Sequence, residues 1–190
     1  MKVGNSRAEN NISWEECYNN FIKATALKGS HTLNAWSYFT SVYDEIPQQY
    51  RLKIQLLGIY IDYRYNQYEF YKYLKRTLDE ETVEQKEARI KENTKILKKY
   101  LCKDYKNIIK LYRGVNDYSL PEEYALSYTI DREKAEWFSN RFNKSGAVVI
   151  EEDFNIADVL LYTNDRDEKE VIVIPPFFHD DFEEQLEQLK

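Results

Sequence analysis

The hydrophobic pattern of the chain changes near residue 106, and this change restricts the possible folds more than any other feature of the sequence. Before that point, apolar and aromatic residues recur every three or four positions, which is the spacing of one helix face. After it, short apolar runs are separated by turn residues, as in β-strands. Helices in the first half and strands in the second predict an α+β fold.

The predicted helical subdomain covers residues 13–105 and follows a polar stretch, residues 1–12, that we expect to be disordered. A Ser or Thr followed three residues later by Glu is the pattern of a capping box, which begins a helix. The pattern occurs at Ser13 and again at Thr77. Between these positions a long helix is expected at about residues 49–74, with apolar or Tyr side chains on most of its sides.

The second half, residues 106–190, is predicted to be a β-rich core that ends in a helix within residues 179–190. Asp131 is a residue type that favours the N-cap position, so a short helix is expected at residues 132–142. Apolar runs predict five strands, at residues 107–115, 124–130, 146–154, 158–163 and 170–175.

Composition argues against several classes of protein. A chain of 190 residues with 5 Gly and 4 Pro has the length of one domain and little loop. Cys17 and Cys102 are far apart and the chain has only 2 His, so we expect a reducing, cytoplasmic environment and no metal site. No signal peptide or membrane-spanning run is visible, so no membrane partner is expected. The net charge of −6 disfavours a protein that binds nucleic acid mainly through its phosphates.

Many of the 17 Tyr lie between residues 38 and 73, and two interpretations of them are open. They could form a platform on which the bases of single-stranded nucleic acid stack, an idea that neighbouring basic residues support. Alternatively, each ring lies at the edge of the core with its hydroxyl at the rim, which is the commoner place for Tyr and the interpretation we favour. The basic residues are Arg51, Lys53, Arg64, Lys72, Lys75 and Arg76.

Two glutamates stand at the start of the last predicted strand, in the segment RDEKEVIVIP at residues 166–175. If Glu168 and Glu170 are both in the strand, their side chains point to the same side, because strand residues two apart share a face. Neighbouring carboxylates disfavour each other's ionisation. The pair therefore indicates either a solvated strand end or two carboxylates that take part in one reaction.

Three short motifs follow one another in the β-rich half. They are LYRG with Arg113, LSYT with Ser127 and Thr129, and EKE with Glu168 and Glu170. Each is on a predicted strand, and a predicted helix follows the second motif. This ordered combination resembles the Arg–Ser–Glu signature of the ADP-ribosyltransferases, a family that includes many bacterial toxins and bacteriophage enzymes.

The resemblance covers about residues 107–176, and it implies a split β-sandwich that binds NAD, as a co-substrate, in a cleft. By the resemblance, Arg113 holds the NAD phosphates through its planar, permanently charged fork. The backbone of Gly114 holds the nicotinamide carboxamide, and its missing Cβ lets the ligand approach closely. Tyr112 and Trp137 are further candidates for contact with NAD, and no metal takes part.

The same resemblance assigns the catalytic roles. Ser127 orients the catalytic glutamate through a hydrogen bond, and Thr129 supports the strand. Glu170 binds the ribose and stabilises the oxocarbenium-like charge that develops as nicotinamide leaves, much as a carboxylate does in glycosidases. Glu168 orients or deprotonates the incoming nucleophile.

Two features depart from the family pattern. The spacing from Arg113 to Glu170 is 57 residues (170 − 113), which is short for a toxin of this kind, so loops around the cleft are expected to be trimmed. The middle motif is Ser-Tyr-Thr instead of Ser-Thr-Ser. Only its first residue, Ser127, therefore corresponds fully to the family motif.

The resemblance implies a mono-ADP-ribosyltransferase of toxin or phage-effector type that acts in the cytoplasm of a bacterium or an infected bacterial cell. The Glu-x-Glu form favours a protein arginine as the acceptor. RNA or DNA is the second candidate acceptor, and hydrolysis of NAD by water is a third possible reaction. Outside the enzymes, a catalytically inactive binding module stays open as an alternative.

Overall fold

The computed structural model describes residues 12–27, 32–59, 67–141, 146–164, 167–179 and 182–190. The chain divides into two compact units, Met1–Glu81 and Thr82–Lys190. The first unit is helical and the second contains a five-stranded antiparallel sheet, which confirms the α+β prediction with helices first. The predicted disorder concerns residues that lie almost entirely outside the described part of the chain.

Four α-helices, one π-helical turn and a short 3-10 helix at Tyr43–Glu45 form the described regular structure of the helical unit. Ser13 caps the first helix, since its Oγ accepts a hydrogen bond from the backbone N of Glu16 at 3.2 Å, as predicted. The elements are α1 at Trp14–Leu27, α2 at Thr32–Val42, α3 at Gln48–Ile54, the π-helical turn at Gln55–Ile59 and α4 at Gln67–Asp79.

Two helix predictions are wrong. The helix expected at residues 49–74 is not one continuous α-helix, because α3 ends at Ile54 and a π-helical turn follows it. Thr77 begins no helix: it lies inside α4, where its hydroxyl donates to the backbone O of Tyr73 at 2.8 Å. The capping box belongs instead to Thr82, whose Oγ1 accepts from the backbone N of Gln85 at 3.2 Å.

The core of the helical unit is aromatic. Phe39, Phe70 and Tyr71 are 0% exposed, and Tyr43 is 1% exposed. Phe39 and Tyr43 meet edge to face, with ring centroids 5.6 Å apart, which is a favourable geometry for aromatic pairs. For Tyr43 and Tyr71 the core interpretation therefore holds, and neither ring is available for stacking on a base.

The sheet unit begins with α5 at Val83–Leu97 and ends with α7 at Phe182–Glu187. Helix α6 spans Arg132–Asn140, and Asp131 caps it as predicted by accepting a hydrogen bond from the backbone N of Glu133 at 3.0 Å. The strands are β1 at Ile108–Val115, β2 at Ser127–Thr129, β3 at Val148–Asn155, β4 at Val159–Thr163 and β5 at Glu170–Val173.

All five strands belong to one sheet, in the order β3-β1-β2-β5-β4. A split sandwich requires a second sheet, and the described residues form none. One face of the sheet packs on a cluster of buried apolar residues that includes Leu97 of α5 together with Leu111 and Val173. The other face receives α6, which packs mainly on β1.

Helix α5 belongs to the sheet unit, although the sequence placed it in the helical subdomain. Asn93 of α5 is buried, and its Nδ2 donates to the backbone O of Val159 in β4 at 2.8 Å. Arg89 donates to the same carbonyl at 2.9 Å. The boundary between the units therefore follows Glu81 and not residue 105.

Candidate active site

Two of the predicted site residues meet at the start of β5. Glu170 pairs with Thr129 across the β2–β5 ladder, and Ser127 stands two residues away on the same face. The Oγ of Ser127 donates a hydrogen bond to Oε1 of Glu170, and the two oxygens are 2.5 Å apart. The structure therefore brings together the serine and the glutamate of the proposed signature, which are 43 residues apart in sequence.

Glu170 is buried, with only 6% of its surface exposed. The three residues that follow it in β5 are at most 1% exposed, so the strand begins with a carboxylate and continues as apolar core. Burying a carboxylate is unfavourable unless hydrogen bonds replace its water. The Ser127 hydroxyl supplies one of these bonds, as is usual for a buried polar group in a folded protein.

Thr129 connects the end of β2 to the turn before β5. Its side chain is buried, and its Oγ1 lies 2.9 Å from the backbone O of Glu168 and 3.2 Å from that of Lys169, to which it donates. The same Oγ1 accepts a hydrogen bond from the backbone N of Asp131 at 3.1 Å. Thr129 thus holds the chain at Glu168 as well as the end of its own strand.

Glu168 does not lie in a strand, because β5 begins only at Glu170. The two residues that flank Glu168 have left-handed backbone conformations, with φ of 56° at Asp167 and 50° at Lys169. The alternation of side chains in a strand therefore does not apply to the two glutamates, and the sequence argument that placed them on one strand face is wrong. A turn, not a strand, sets the direction of Glu168.

Arg113 extends from the other face of the sheet. Tyr112 is the partner of Thr129 in the β1–β2 ladder, so Tyr112 shares the face of Thr129 and Glu170, and the next residue, Arg113, points to the opposite face. Its Nη2 donates to the backbone O of Leu120 at 2.6 Å. Its Nη1 is buried and has no hydrogen-bond partner in the described part of the chain.

The guanidinium of Arg113 lies near a partly buried pair that the sequence argument did not identify. The Tyr128 hydroxyl donates to Oε2 of Glu152 at 3.0 Å. Burial raises the pKa of Glu152, and the nearby charge of Arg113 offsets only part of that rise. In the sequence, Glu152 is marked only as an acidic residue within a predicted strand. Many strands at protein surfaces contain such a residue, so this feature could not identify the pair.

Gly114 is needed for packing. A Cβ at this position would stand 2.1 Å from the backbone O of Ala135 and 2.6 Å from the backbone N of Ser139. The missing side chain therefore admits α6, and the contact of the Gly114 backbone with nicotinamide stays a prediction. The β1–β2 ladder consists of the single pair Tyr112–Thr129, whereas β1 stays paired with β3 as far as Val115. The ladder between β1 and β2 thus ends just before Gly114.

Tyr112 and Trp137 have different surroundings. Tyr112 is half-buried between its partners Thr129 in β2 and Glu151 in β3. Trp137 is 56% exposed on α6, and the guanidinium carbon of Arg141 lies 5.4 Å from its ring centroid. Tyr112 therefore shares the sheet face of Glu170, while Trp137 lies on the solvent side of its helix.

No group of three His, Cys, Asp or Glu residues in the described ranges is arranged to hold a metal ion. Among the described helices, none combines the length and apolar character required to cross a membrane. A pocket of about 560 Å³ in the helical unit is lined by residues of α1, α2 and α3, including Cys17, Phe21 and Ile54. Burial raises the pKa of the Cys17 thiol, which makes it a poor nucleophile.

No protein-family model matches the chain, and comparison with curated proteins and with solved structures finds no significant match. The functional assignment therefore depends on the residues themselves: the bonded pair Ser127 and Glu170, the turn at Glu168, and the unsatisfied donor of Arg113.

Proposed function

We propose that the protein is a mono-ADP-ribosyltransferase that transfers ADP-ribose from NAD to a macromolecular acceptor and releases nicotinamide. The observation that supports this most is the hydrogen bond from Ser127 to the buried carboxylate of Glu170. A carboxylate that is already oriented stabilises developing positive charge without reorganising during the reaction. That is the requirement of a reaction in which a ribose becomes oxocarbenium-like.

In the proposed reaction, the bond between ribose C1′ and the nicotinamide nitrogen breaks, and neutral nicotinamide leaves with the electron pair. The charge that develops at C1′ is stabilised by Glu170, whose orientation Ser127 fixes. A nitrogen of the acceptor then bonds to C1′, and the proton that it loses passes to Glu168. If water takes the place of the acceptor, the product is free ADP-ribose.

Arg113 is proposed to bind the diphosphate of NAD. Its buried Nη1 has no hydrogen-bond partner among the described residues, and such a donor is an exception in folded proteins. A phosphate oxygen is a suitable acceptor for a guanidinium. Arg113 and Glu170 belong to opposite faces of the sheet. One NAD molecule can contact both residues only if it extends past the end of the β1–β2 ladder, from one face to the other. The shortness of that ladder is consistent with this requirement.

A protein arginine stays the favoured acceptor. The nucleic-acid alternative rested partly on arginines beside the tyrosines of the helical unit, and two of these are already engaged. Arg51 pairs with Glu80 at 2.5 Å, and Arg76 pairs with Asp44 at 2.7 Å. These guanidinium groups therefore have less capacity to bind phosphates, and nucleic acid becomes an outcome for the experiment to detect.

The test is incubation with NAD labelled in its adenylate part, in the presence of bacterial protein, bacterial RNA and DNA, and agmatine as a small guanidinium acceptor. Label on protein or on agmatine supports the proposal with an arginine acceptor. Label on nucleic acid supports a transferase with the other acceptor, and free ADP-ribose alone supports a hydrolase. Absence of any NAD cleavage by the folded protein contradicts the proposal and leaves the binding-module alternative.

Glu170→Gln should reduce nicotinamide release by at least about a hundredfold, because the amide keeps the shape of the side chain and loses its charge. Circular dichroism should show an unchanged fold. The matched control is Glu151→Gln, which removes a carboxylate of the same sheet that pairs with Lys110 at the surface. The control should keep full activity. Normal turnover in a folded Glu170→Gln protein would rule out the proposed chemistry.

Glu168→Gln should separate transfer from hydrolysis. If Glu168 acts on the acceptor, the variant should lose transfer to agmatine and retain measurable NAD hydrolysis, because water needs less activation than a protonated guanidinium. Both products are measured in one reaction by chromatography. Equal losses of the two activities would contradict the acceptor role and, with it, the argument for an arginine acceptor.

A further inference from the structure

The turn that contains Glu168 has an unfavourable backbone. Asp167 and Lys169 both have positive φ, at 56° and 50°, although neither is a glycine. The left-handed region is disfavoured for residues with a Cβ, and Lys lacks the short polar side chain that helps Asp and Asn to occupy it. Such a conformation persists only where surrounding contacts enforce it.

Two ion pairs connect this turn to the beginning of α6. Lys169 Nζ lies 2.6 Å from Oδ2 of Asp131, the residue that caps α6. Lys134, in the first turn of the helix, has its Nζ 2.9 Å from Oδ2 of Asp167. The hydrogen bond from Lys169 is the largest reason why the pKa of Asp131 is lowered, so Asp131 is held in its charged form.

Hydrogen bonds to the backbone fix the same turn from two further directions. The Thr129 hydroxyl reaches the carbonyls of Glu168 and Lys169, and the backbone N of Ile130 donates to Lys169 O at 3.3 Å. On the other side, Oδ1 of Asn164 accepts from the backbone N of Lys169 at 3.0 Å. Lys169 is thus held through its N–H, its carbonyl and its side chain, and it stands between the two glutamates.

We propose that the ion pair between Asp131 and Lys169 positions Glu168 for the acceptor step and leaves the cleavage of NAD largely unaffected. This inference rests on the proposed function. Glu170 is held independently, by its strand and by Ser127, whereas Glu168 depends on the turn. Asp131 and Lys169 are therefore positioning residues for transfer, and the turn is the structure through which they act.

The test compares Lys169→Met, which keeps the side-chain length and removes the charge, with Asp131→Asn, which keeps an acceptor for the α6 cap. Each should lower the ratio of agmatine transfer to NAD hydrolysis at least about fivefold, since small displacements of a catalytic group reduce rates strongly. The double variant should fall no further than either single variant, because both remove the same contact. Lys169→Arg should restore most of the ratio.

A matched control is Lys110→Met, which removes a different lysine–carboxylate ion pair, the one between Lys110 and Glu151, and should leave the ratio unchanged. Hydrogen exchange of the NAD-free protein provides a second measurement. Compared with wild type, the backbone amide of residue 169 should exchange faster in Lys169→Met and at an unchanged rate in Lys110→Met. Suppose that the wild-type protein is active. If Lys169→Met then has an unchanged ratio of transfer to hydrolysis, or loses both activities equally, the positioning role alone is overturned. A wild-type protein that cleaves no NAD overturns the proposed function, and the positioning role with it.

Discussion

The arginines of the two units are used differently. In the helical unit, Arg51 and Arg76 lie over the ring of Tyr43, with guanidinium carbons 4.5 Å and 4.3 Å from its centroid. Both donate to the carboxylate of Glu80, and Arg76 also donates to Asp44. The Tyr43 hydroxyl donates to Glu80 as well, at 3.1 Å. The charges of this cluster are therefore engaged within the unit.

In the sheet unit, Arg113 donates through Nη2 to a single backbone carbonyl, while its buried Nη1 has no partner in the described ranges. A buried donor without a partner is unfavourable for folding, whereas saturated charges fix the packing of their helices. The difference is consistent with a stabilising role of the Glu80 cluster in its unit and with the role in NAD binding proposed for Arg113. Three experiments test this contrast.

The largest effect is expected at Arg113. Arg113→Ala should weaken NAD binding by about tenfold to a hundredfold, the value of a hydrogen bond to a charged group, and should change the free energy of unfolding by about 1 kcal/mol or less. Arg113→Lys should recover little affinity, because the planar fork is lost. Calorimetric titration of NAD measures the first quantity and urea unfolding the second. Unchanged affinity in Arg113→Ala would remove this residue from the NAD site.

A smaller effect, on stability alone, is expected at Glu80. Glu80→Gln should lower the free energy of unfolding by about 1 to 2 kcal/mol, because two arginines lose a shared anion that is itself partly exposed. NAD turnover at 25 °C should not change. Fluorescence can follow the unfolding, since Trp36 is 8% exposed within the helical unit. If Glu80→Gln instead impaired NAD turnover and left the free energy of unfolding unchanged, the contrast between the Glu80 cluster and Arg113 would be wrong.

The smallest effect is a dependence on pH. Burial alone would raise the pKa of Glu80, but the hydrogen bonds from Arg76 and Tyr43 and the charges of both arginines outweigh it and lower the pKa below its ordinary 4.5. The contribution of ionised Glu80 to the free energy of unfolding is therefore complete above pH 4.5. It is lost as the pH falls through the lower pKa that Glu80 has in the folded protein. The stabilities of wild type and Glu80→Gln should differ at pH 7, and the difference should shrink as the pH falls below 4.5. A constant difference would contradict this account.

The sequence predicted those parts of the fold that local patterns determine. Short apolar runs located the five strands, and the residue type of Asp131 located the start of α6. The capping-box pattern was ambiguous, because Thr77 and Thr82 are each followed three residues later by Glu or Gln. Tertiary packing decides between them: Thr77 is buried, and its Oγ1 lies 3.0 Å from the hydroxyl of Tyr43.

For the site, the order of the motifs predicted that Ser127 and Glu170 are neighbours. It did not predict which face of the sheet each site residue occupies. The face of Arg113 depends on the register of β1 against β2, which distant residues set. The turn at Glu168 has positive φ at Asp167 and Lys169, where the sequence has no glycine to indicate it. Both features result from pairing between segments, and residue types and spacing do not contain that information.

The position of β5 has a consequence for the growing chain. Among the five described strands it is synthesised after the others, yet it lies in the interior of the sheet between β2 and β4. Proteins begin to fold from the N-terminus during synthesis. A nascent chain that stops before Glu170 has Ser127 without its partner and a gap between two finished strands. The hydrogen bond between Ser127 and Glu170 can therefore form only after β5 has joined the sheet, so the proposed activity toward NAD requires the complete sheet.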